Sequence, residues 1–196
     1  MSKITNPKDL LMVLLYAKGA TGRQCEPIRG RTRLMKMVFL FDKEVRRRFN
    51  LDKVISEQAL PDFTPYDYGP FSADVFEDLE FLVELGFVVP HLAGDALPEE
   101  EQEYSYWQAG SSPDGDDSGP EAEEQFSLTK IGRSFVADEL KNALSKAQWH
   151  TIDEFKARCT AAPLRSLLRY VYSKYPEQTT HSTIRQEILA GYDRPE

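Results

Sequence analysis

Residues 75–88 read VFEDLEFLVELGFV, and residues 126–132 read FSLTKIG. The first stretch predicts a helix over 73–85, because Ser72 is a favourable N-cap and Gly86 a favourable stop. Its apolar residues recur at intervals of three and four and form one face, which consists of Phe76, Leu79, Leu82 and Val83. This helix is therefore expected to pack one side against a core and to leave the other side in solvent.

The residues that follow predict two strands separated by a long loop. FVVPH at 87–91 favours a strand, QFSL at 125–128 favours a return strand, and a further helix is expected to begin near Thr129. Residues 93–124 are rich in glycine, proline, serine and acids, which predicts an acidic, mobile insertion. The insertion is interpreted either as a solvated loop without a partner or as a DNA-mimicking lure for a basic protein.

Two helices are predicted before this unit, over 7–18, with Asn6 as N-cap, and over 32–49. The order helix, helix, turn, helix, strand, loop, strand, helix is that of a winged-helix domain. We therefore expect a mainly α (α+β) fold with a winged-helix-like domain over 1–139, whose two-strand wing is interrupted by the acidic loop. Residues 140–196 are expected to form a C-terminal helical extension that packs on this domain.

Three further segments are assigned from local signals. ATGRQCEPIRG, at 20–30, is predicted to be a polar loop. An amphipathic helix is expected in APLRSLLRYVYSKYP, ended by Pro176. Thr183 and Gln186 have the spacing of a capping box for a last short helix over 184–189.

The stretch FTPYDYGPFS, at 63–72, predicts a structural turn between an extended segment and the third helix. The Gly-Pro step is expected to break the chain, while the neighbouring aromatic rings pack around it. A tyrosine acting as a general acid or base would need a partner base or metal, and the sequence shows none nearby. The turn residues are Tyr66, Tyr68, Gly69, Pro70 and Ser72.

Charge is distributed unevenly along the chain. The net charge is −8, and residues 54–129 contain 19 acids but no lysine or arginine. Four basic side chains of the second helix fall on one predicted stripe, opposite its apolar face; they are Arg33, Lys36, Lys43 and Arg47. The stripe is interpreted as a solvated face neutralised by the protein's own acids, as a nucleic-acid site, or as a site for an acidic partner protein.

Few signals for catalysis are present. The sequence has no phosphate-binding glycine loop, no G-x-S-x-G and no H-E-x-x-H, and its three histidines have no metal-ligand spacing. Cys25 and Cys159 are interpreted as reduced thiols. We therefore expect a protein that is not an enzyme, has no cofactor or metal, and resides in the cytoplasm, since neither a membrane span nor an export signal is evident.

Four stretches resemble a known family: IRGRTRLMKMVFLFDKEV, FTPYDYGPFSADVFEDLEFLVELGFV, FSLT and LLRYVYSKYPEQTTHS. In this order they resemble the YwgA-like prophage proteins and the related Panacea (SocA-like) antitoxin domain, over about three quarters of the chain. The R-x-x-K-x-x-F-L helix and the Y-G-P-x-S turn together carry the likeness, while the acidic loop departs from it. The resemblance implies a bacterial or phage-linked protein that acts by binding another protein, and it implies no catalytic residues.

Two functions follow as hypotheses. The first is a non-catalytic protein-binding module, antitoxin-like, an adaptor or a defence-system accessory, whose partner is a toxin or defence component and which can form homo- or hetero-oligomers. The alternative is a winged-helix DNA-binding transcriptional regulator that uses the basic second helix. Its third helix carries five acids and no basic residue between 73 and 85, so we expect that helix not to bind duplex DNA.

Overall fold

The structure, a computed structural model, describes residues 4–92 and 124–190. This part of the chain has a mainly helical α+β fold with two small antiparallel sheets. The helices are α1 Pro7–Tyr16, α2 Arg31–Leu40, α3 Ala73–Glu84, α4 Lys130–Phe135, α5 Lys146–Ala161, α6 Leu164–Lys174 and α7 Arg185–Leu189. The strands are β1 Ile28–Arg29, β2 Thr64–Tyr66, β3 Gly69–Phe71, β4 Val88–Leu92 and β5 Glu124–Leu128.

Helix α1 lies at the centre of the core. The Asn6 side chain accepts a hydrogen bond from the backbone N–H of Lys8 at 3.0 Å, and Pro7 is the first helical residue, so its predicted start is confirmed. All six residues from Leu10 to Leu15 are buried, because neighbours cover α1 on every side rather than on one face. The helix ends at Tyr16, two residues before the predicted end.

The larger sheet has the strand order β1-β5-β4. Strands β4 and β5 pair antiparallel, with Val88 opposite Leu128, as expected for the two predicted strands. Strand β1 corrects the prediction of a polar loop, because Ile28 is fully buried and lies opposite Phe126. A two-residue strand gives no periodic signal, so only its pairing with β5 reveals it.

The predicted turn is a β-hairpin, and its reversal lies two residues earlier than expected. Strands β2 and β3 pair with Tyr66 opposite Gly69, so the Gly-Pro step is part of a strand and the prediction that it breaks the chain is wrong. The reversal occurs at Asp67, whose carbonyl oxygen accepts hydrogen bonds from the Thr183 backbone N–H at 3.0 Å and the Ser182 Oγ at 2.9 Å. Contacts from the C-terminal segment therefore set the position of the turn.

Helix α3 spans nearly the predicted residues, but its N-cap differs. Ser72 has the extended backbone of an N-cap residue, yet its buried side chain makes no capping hydrogen bond, so that part of the prediction is wrong. The expected capping box of α7 is also absent, because no side chain caps the helix at Ile184. Helix α4 begins next to Thr129, as predicted, and the Thr129 side chain caps it by accepting a hydrogen bond from the Gly132 N–H at 3.1 Å.

Helix α2 starts at Arg31 and continues beyond Leu40 as a π-helical segment over Phe41–Arg46, in agreement with the expected second helix. Helix α6 ends just before Pro176, as predicted. Buried side chains of residues 4–139 and of residues 140–190 belong to one core cluster. The C-terminal helices therefore share the core of the preceding residues, and the division into two units stays a prediction.

A buried lysine joins α5 to the end of α1. Lys156 is fully buried, and its Nζ donates hydrogen bonds to the carbonyl oxygens of Leu15 at 2.9 Å, Ala17 at 2.8 Å and Glu26 at 2.6 Å. Two of these carbonyls lie in the last turn of α1 and just beyond it, where backbone acceptors lack helical partners and a cation is favoured. All three ammonium protons are thus used inside the fold.

We expect Lys156→Met to lower the free energy of unfolding by about 3 kcal/mol, because three buried carbonyl oxygens lose their donor. Urea unfolding followed by circular dichroism measures the change. Lys146→Met, at an exposed position of the same helix, serves as the control and should change stability by less than about 0.5 kcal/mol. Equal effects of the two substitutions would show that the carbonyl contacts contribute little.

We expect Gly69→Ala to destabilise the protein more than Gly86→Ala. Both glycines have positive φ, +82° and +72°, so an alanine costs about 1 kcal/mol at either position. At Gly69 the added Cβ would also lie 2.8 Å from Cε1 of the buried Tyr172, whereas nothing lies within 4 Å at Gly86. The expected total is about 3 kcal/mol for Gly69→Ala, measured by thermal or urea unfolding. Equal losses in the two variants would contradict the contact with Tyr172.

Candidate functional site

The predicted basic stripe of α2 is not a continuous exposed face. Arg33 is 4% exposed and Lys36 is 2% exposed, so the prediction of a stripe opposite the core is wrong for these two residues. The reason is that α2 is covered on several sides, by α5, by α6 and by the β2–β3 hairpin. Lys43 and Arg47 remain accessible.

Arg33 is used as a structural cap. Its Nη1 donates hydrogen bonds to the carbonyl oxygens of Cys159 at 2.7 Å and Ala162 at 2.6 Å, at the C-terminal end of α5. A guanidinium satisfies such free carbonyls and is favoured at the negative end of the helix dipole. This explains why a charged residue is tolerated in the interior.

The two exposed members of the stripe contact the protein's own acids. The Lys43 Nζ lies 2.9 Å from Oδ2 of Asp42, and Nη2 of Arg47 lies 3.2 Å from Oε1 of Glu57. Exposed pairs of this kind contribute little to stability and can exchange partners. Whether Lys43 and Arg47 bind a nucleic acid or a partner protein stays a prediction.

Lys36 connects the two motifs that carry the family resemblance. Its Nζ donates a hydrogen bond to the carbonyl oxygen of Pro70 at 2.8 Å, so the R-x-x-K helix is tied directly to the Y-G-P turn. Four of the five predicted turn residues surround this contact in the hairpin, while Ser72 follows it at the start of α3. The sequence placed both motifs but gave no sign that they touch.

A cavity of about 270 Å³ opens beside Lys36, between α2, the hairpin and α3. Its lining includes four aromatic side chains, and Tyr66 is half exposed at 50%. Sequence analysis missed five members of this site: Arg31, Thr32, Met35, Phe71 and Phe76. The spacing of Arg31, Thr32, Met35 and Lys36 would place them on adjacent turns of one helix, but the hairpin that completes the cavity is a tertiary contact. The lining residues are Arg31, Thr32, Met35, Lys36, Tyr66, Tyr68, Gly69, Phe71 and Phe76.

The outward face of α3 combines acids with exposed apolar side chains. Phe81 is 44% exposed and Leu85 is 52% exposed, and they lie one turn apart. The exposed acids of the helix are Asp74, Glu77, Glu80 and Glu84. Its fifth acid, Asp78, is half-buried and pairs with Lys8 of α1. This face is therefore acidic and apolar at once.

Neither cysteine has the environment of a nucleophile. Both are free and buried, and burial raises the pKa of Cys159 to about 12 and raises that of Cys25 above its ordinary value. The thiolate is the reactive form of cysteine, and burial keeps both thiols protonated at neutral pH.

Among residues 4–92 and 124–190, no three acid, histidine or cysteine side chains are grouped to hold a metal ion. No helix in that part of the chain is both long and apolar enough to cross a membrane. The acidic loop predicted over 93–124 lies outside the described residues except for Glu124, which begins β5.

No protein-family model matches the chain, and no curated protein matches it either. The resemblance to the YwgA-like and Panacea proteins therefore stays a prediction.

We expect Lys36→Met to reduce the pH dependence of stability. Burial lowers the pKa of Lys36 and of Lys156 to about 7, whereas an unfolded lysine has a pKa of about 10.4. Above pH 7 the unfolded chain therefore binds more protons than the folded one, so stability rises with pH. The raised pKa of Cys159 acts in the opposite direction only above about pH 8.5, where an unfolded thiol ionises.

The measurement is the free energy of unfolding in urea at several pH values between 7 and about 8.5. The wild-type protein should gain stability across this range, Lys36→Met should gain less, and Lys43→Met should gain as much as the wild type. A gain in Lys36→Met equal to that of the wild type would show that Lys36 does not titrate in this window.

Proposed function

We propose that the chain is a non-catalytic protein-binding module of the winged-helix type, which binds a basic partner protein through the outward face of α3. The order α1, β1, α2, α3, β4, β5, with the β2–β3 hairpin between α2 and α3, and the sheet order β1-β5-β4 support the winged-helix assignment. In this arrangement β4 and β5 are the strands of the wing, and α3 is the helix that precedes it.

The observation that carries the proposal is the pair Phe81 and Leu85 within an acidic surface. Two large apolar side chains exposed one turn apart are typical of a binding site, because burying them against a partner is favourable. Glu80, one of the four exposed acids of this helix, contacts Arg31, while the other three, Asp74, Glu77 and Glu84, repel phosphate groups and attract lysine and arginine. Together they fit a protein surface that is basic around an apolar centre.

The alternative, a DNA-binding regulator that uses the second helix, has less support. Arg33 and Lys36 are buried inside the fold, so neither is exposed to the phosphates of a duplex. Only Lys43 and Arg47 of the four remain exposed, and affinity for duplex DNA depends on several phosphate contacts. For the proposed partner binding, the family resemblance suggests three roles: neutralising a toxin, delivering a protein to a protease, or assisting a defence system.

The test compares the wild-type chain with Phe81→Ser/Leu85→Ser and with Phe49→Ser. Phe49 is 41% exposed in another segment and is the matched control. Proteins that copurify from cells of the source organism are identified, purified and titrated against all three forms. We expect a partner with a basic surface, whose affinity falls about thirtyfold or more in the double variant, is unchanged in Phe49→Ser, and decreases as salt rises. A specific partner that binds the double variant as tightly as the wild type would contradict the proposed face.

A labelled DNA duplex at low salt tests the alternative in the same set of proteins. We expect no binding that depends on α3. Binding that is lost in Lys43→Ala/Arg47→Ala but kept in the α3 double variant would favour the DNA-binding regulator instead.

A further inference from the structure

We propose that the cavity between α2, the β2–β3 hairpin and α3 binds a carboxylate attached to a small apolar group, with Lys36 as the residue that contacts the carboxylate. This site lies on the inner side of α3 and does not depend on the proposed binding of a partner protein to its outward face.

The first observation is the buried ammonium group. An ammonium has three N–H donors, and the carbonyl oxygen of Pro70 accepts one of them. Among the described residues, no carboxylate lies within 4.0 Å of the Lys36 Nζ. A buried cation without an anion is costly, and a bound carboxylate would supply both the opposite charge and the missing acceptors.

Lys156, a second buried lysine, differs from Lys36 in the number of hydrogen bonds that it donates. Both lysines are buried in the same fold, but Lys156 donates to three carbonyl oxygens. Lys36 donates to one carbonyl and lines a cavity. Lys36 therefore has donor capacity left over, and it is one of the residues that line the cavity.

The second observation is the aromatic wall of the cavity. The ring centroids of Tyr66 and Phe71 lie 4.9 Å apart, and those of Phe71 and Phe76 lie 5.5 Å apart. Tyr68 lines the same space. Such connected rings favour an apolar or aromatic body on the ligand, because flat hydrophobic surfaces pack closely against them.

The third observation limits the charge of the ligand. The guanidinium of Arg31, at the same cavity, already contacts Oε1 of Glu80 at 3.3 Å and Oε2 of Glu124 at 3.0 Å. Lys36 is therefore the cation whose charge is not balanced, and one such charge matches a monoanion better than a phosphate. The volume of about 270 Å³ is small for a ligand site and fits a body of the size of a phenyl ring on a short chain.

Two kinds of molecule carry a carboxylate next to an aromatic group. One is a free arylalkyl carboxylic acid, and the other is a peptide whose C-terminal residue is aromatic. The probes are 3-phenylpropionate, its neutral amide, and a pentapeptide ending in phenylalanine with either a free or an amidated C-terminus. Binding is measured by calorimetry and by protein NMR chemical shifts.

We expect the wild-type protein to bind at least one free acid about tenfold or more tightly than the corresponding amide. Preference for phenylpropionate would identify a small-molecule site, and preference for the free-acid peptide would identify a C-terminus; each result supports the proposal. Equal binding of acid and amide, or no binding of any probe at millimolar concentration, would overturn it.

Two variants connect the binding to this cavity. Lys36→Met should abolish the preference for acid over amide, and Tyr66→Ala should weaken both ligands while the preference remains. Tyr66 is half exposed, so Tyr66→Ala is expected to fold even if Lys36→Met does not. An acid preference that persists in folded Lys36→Met, or acid binding that is unchanged in Tyr66→Ala, would contradict the assignment.

Discussion

The fold depends on buried cations that donate hydrogen bonds to backbone carbonyls of other segments. Among the described residues four lysine and arginine side chains are buried, and each reaches a carbonyl of a segment outside its own helix; they are Arg33, Lys36, Arg46 and Lys156. Two of them donate to carbonyl oxygens at the C-terminal ends of helices. Lys156 of α5 contacts the end of α1, and Arg33 of α2 contacts the end of α5. Without these donors, helix ends in the interior would carry unpaired acceptors, which is costly away from water.

The burial of these side chains also determines which charged residues remain exposed to a partner. The predicted second helix has the charge of a nucleic-acid-binding helix in the sequence, but two of the four stripe residues, Arg33 and Lys36, are buried and donate to backbone carbonyls. Helix α3 has the opposite character, since its exposed side holds acids with Phe81 and Leu85 between them. The charge that is available to a partner therefore differs from the charge that the sequence appeared to offer.

The two proposed sites use opposite sides of α3. Phe76 faces the cavity with Lys36, whereas Phe81 and Leu85 face solvent. A ligand in the cavity would contact the hairpin and the two helices α2 and α3. Its binding would therefore affect the position of α3, which carries the proposed partner-binding face. Glu80 belongs to the acidic face and also contacts Arg31 at the cavity, but substitutions can separate the two sites because Phe81 and Leu85 do not line the cavity.

The sequence by itself determined the helices α1, α3 and α6, the strands β4 and β5, and the start of α4 near Thr129, because each has a local signal within a few residues. It did not determine strand β1, the position of the turn at Asp67 or the burial of Arg33 and Lys36. Each of these depends on a partner distant in the chain: Phe126 for Ile28, Ser182 and Thr183 for Asp67, and the end of α5 for Arg33. Periodicity and capping act over one or two helical turns, whereas a buried charge is favourable only when the tertiary fold brings carbonyl oxygens to it. For that reason the sequence placed the basic residues on one helix, and only the tertiary structure decided which of them face solvent.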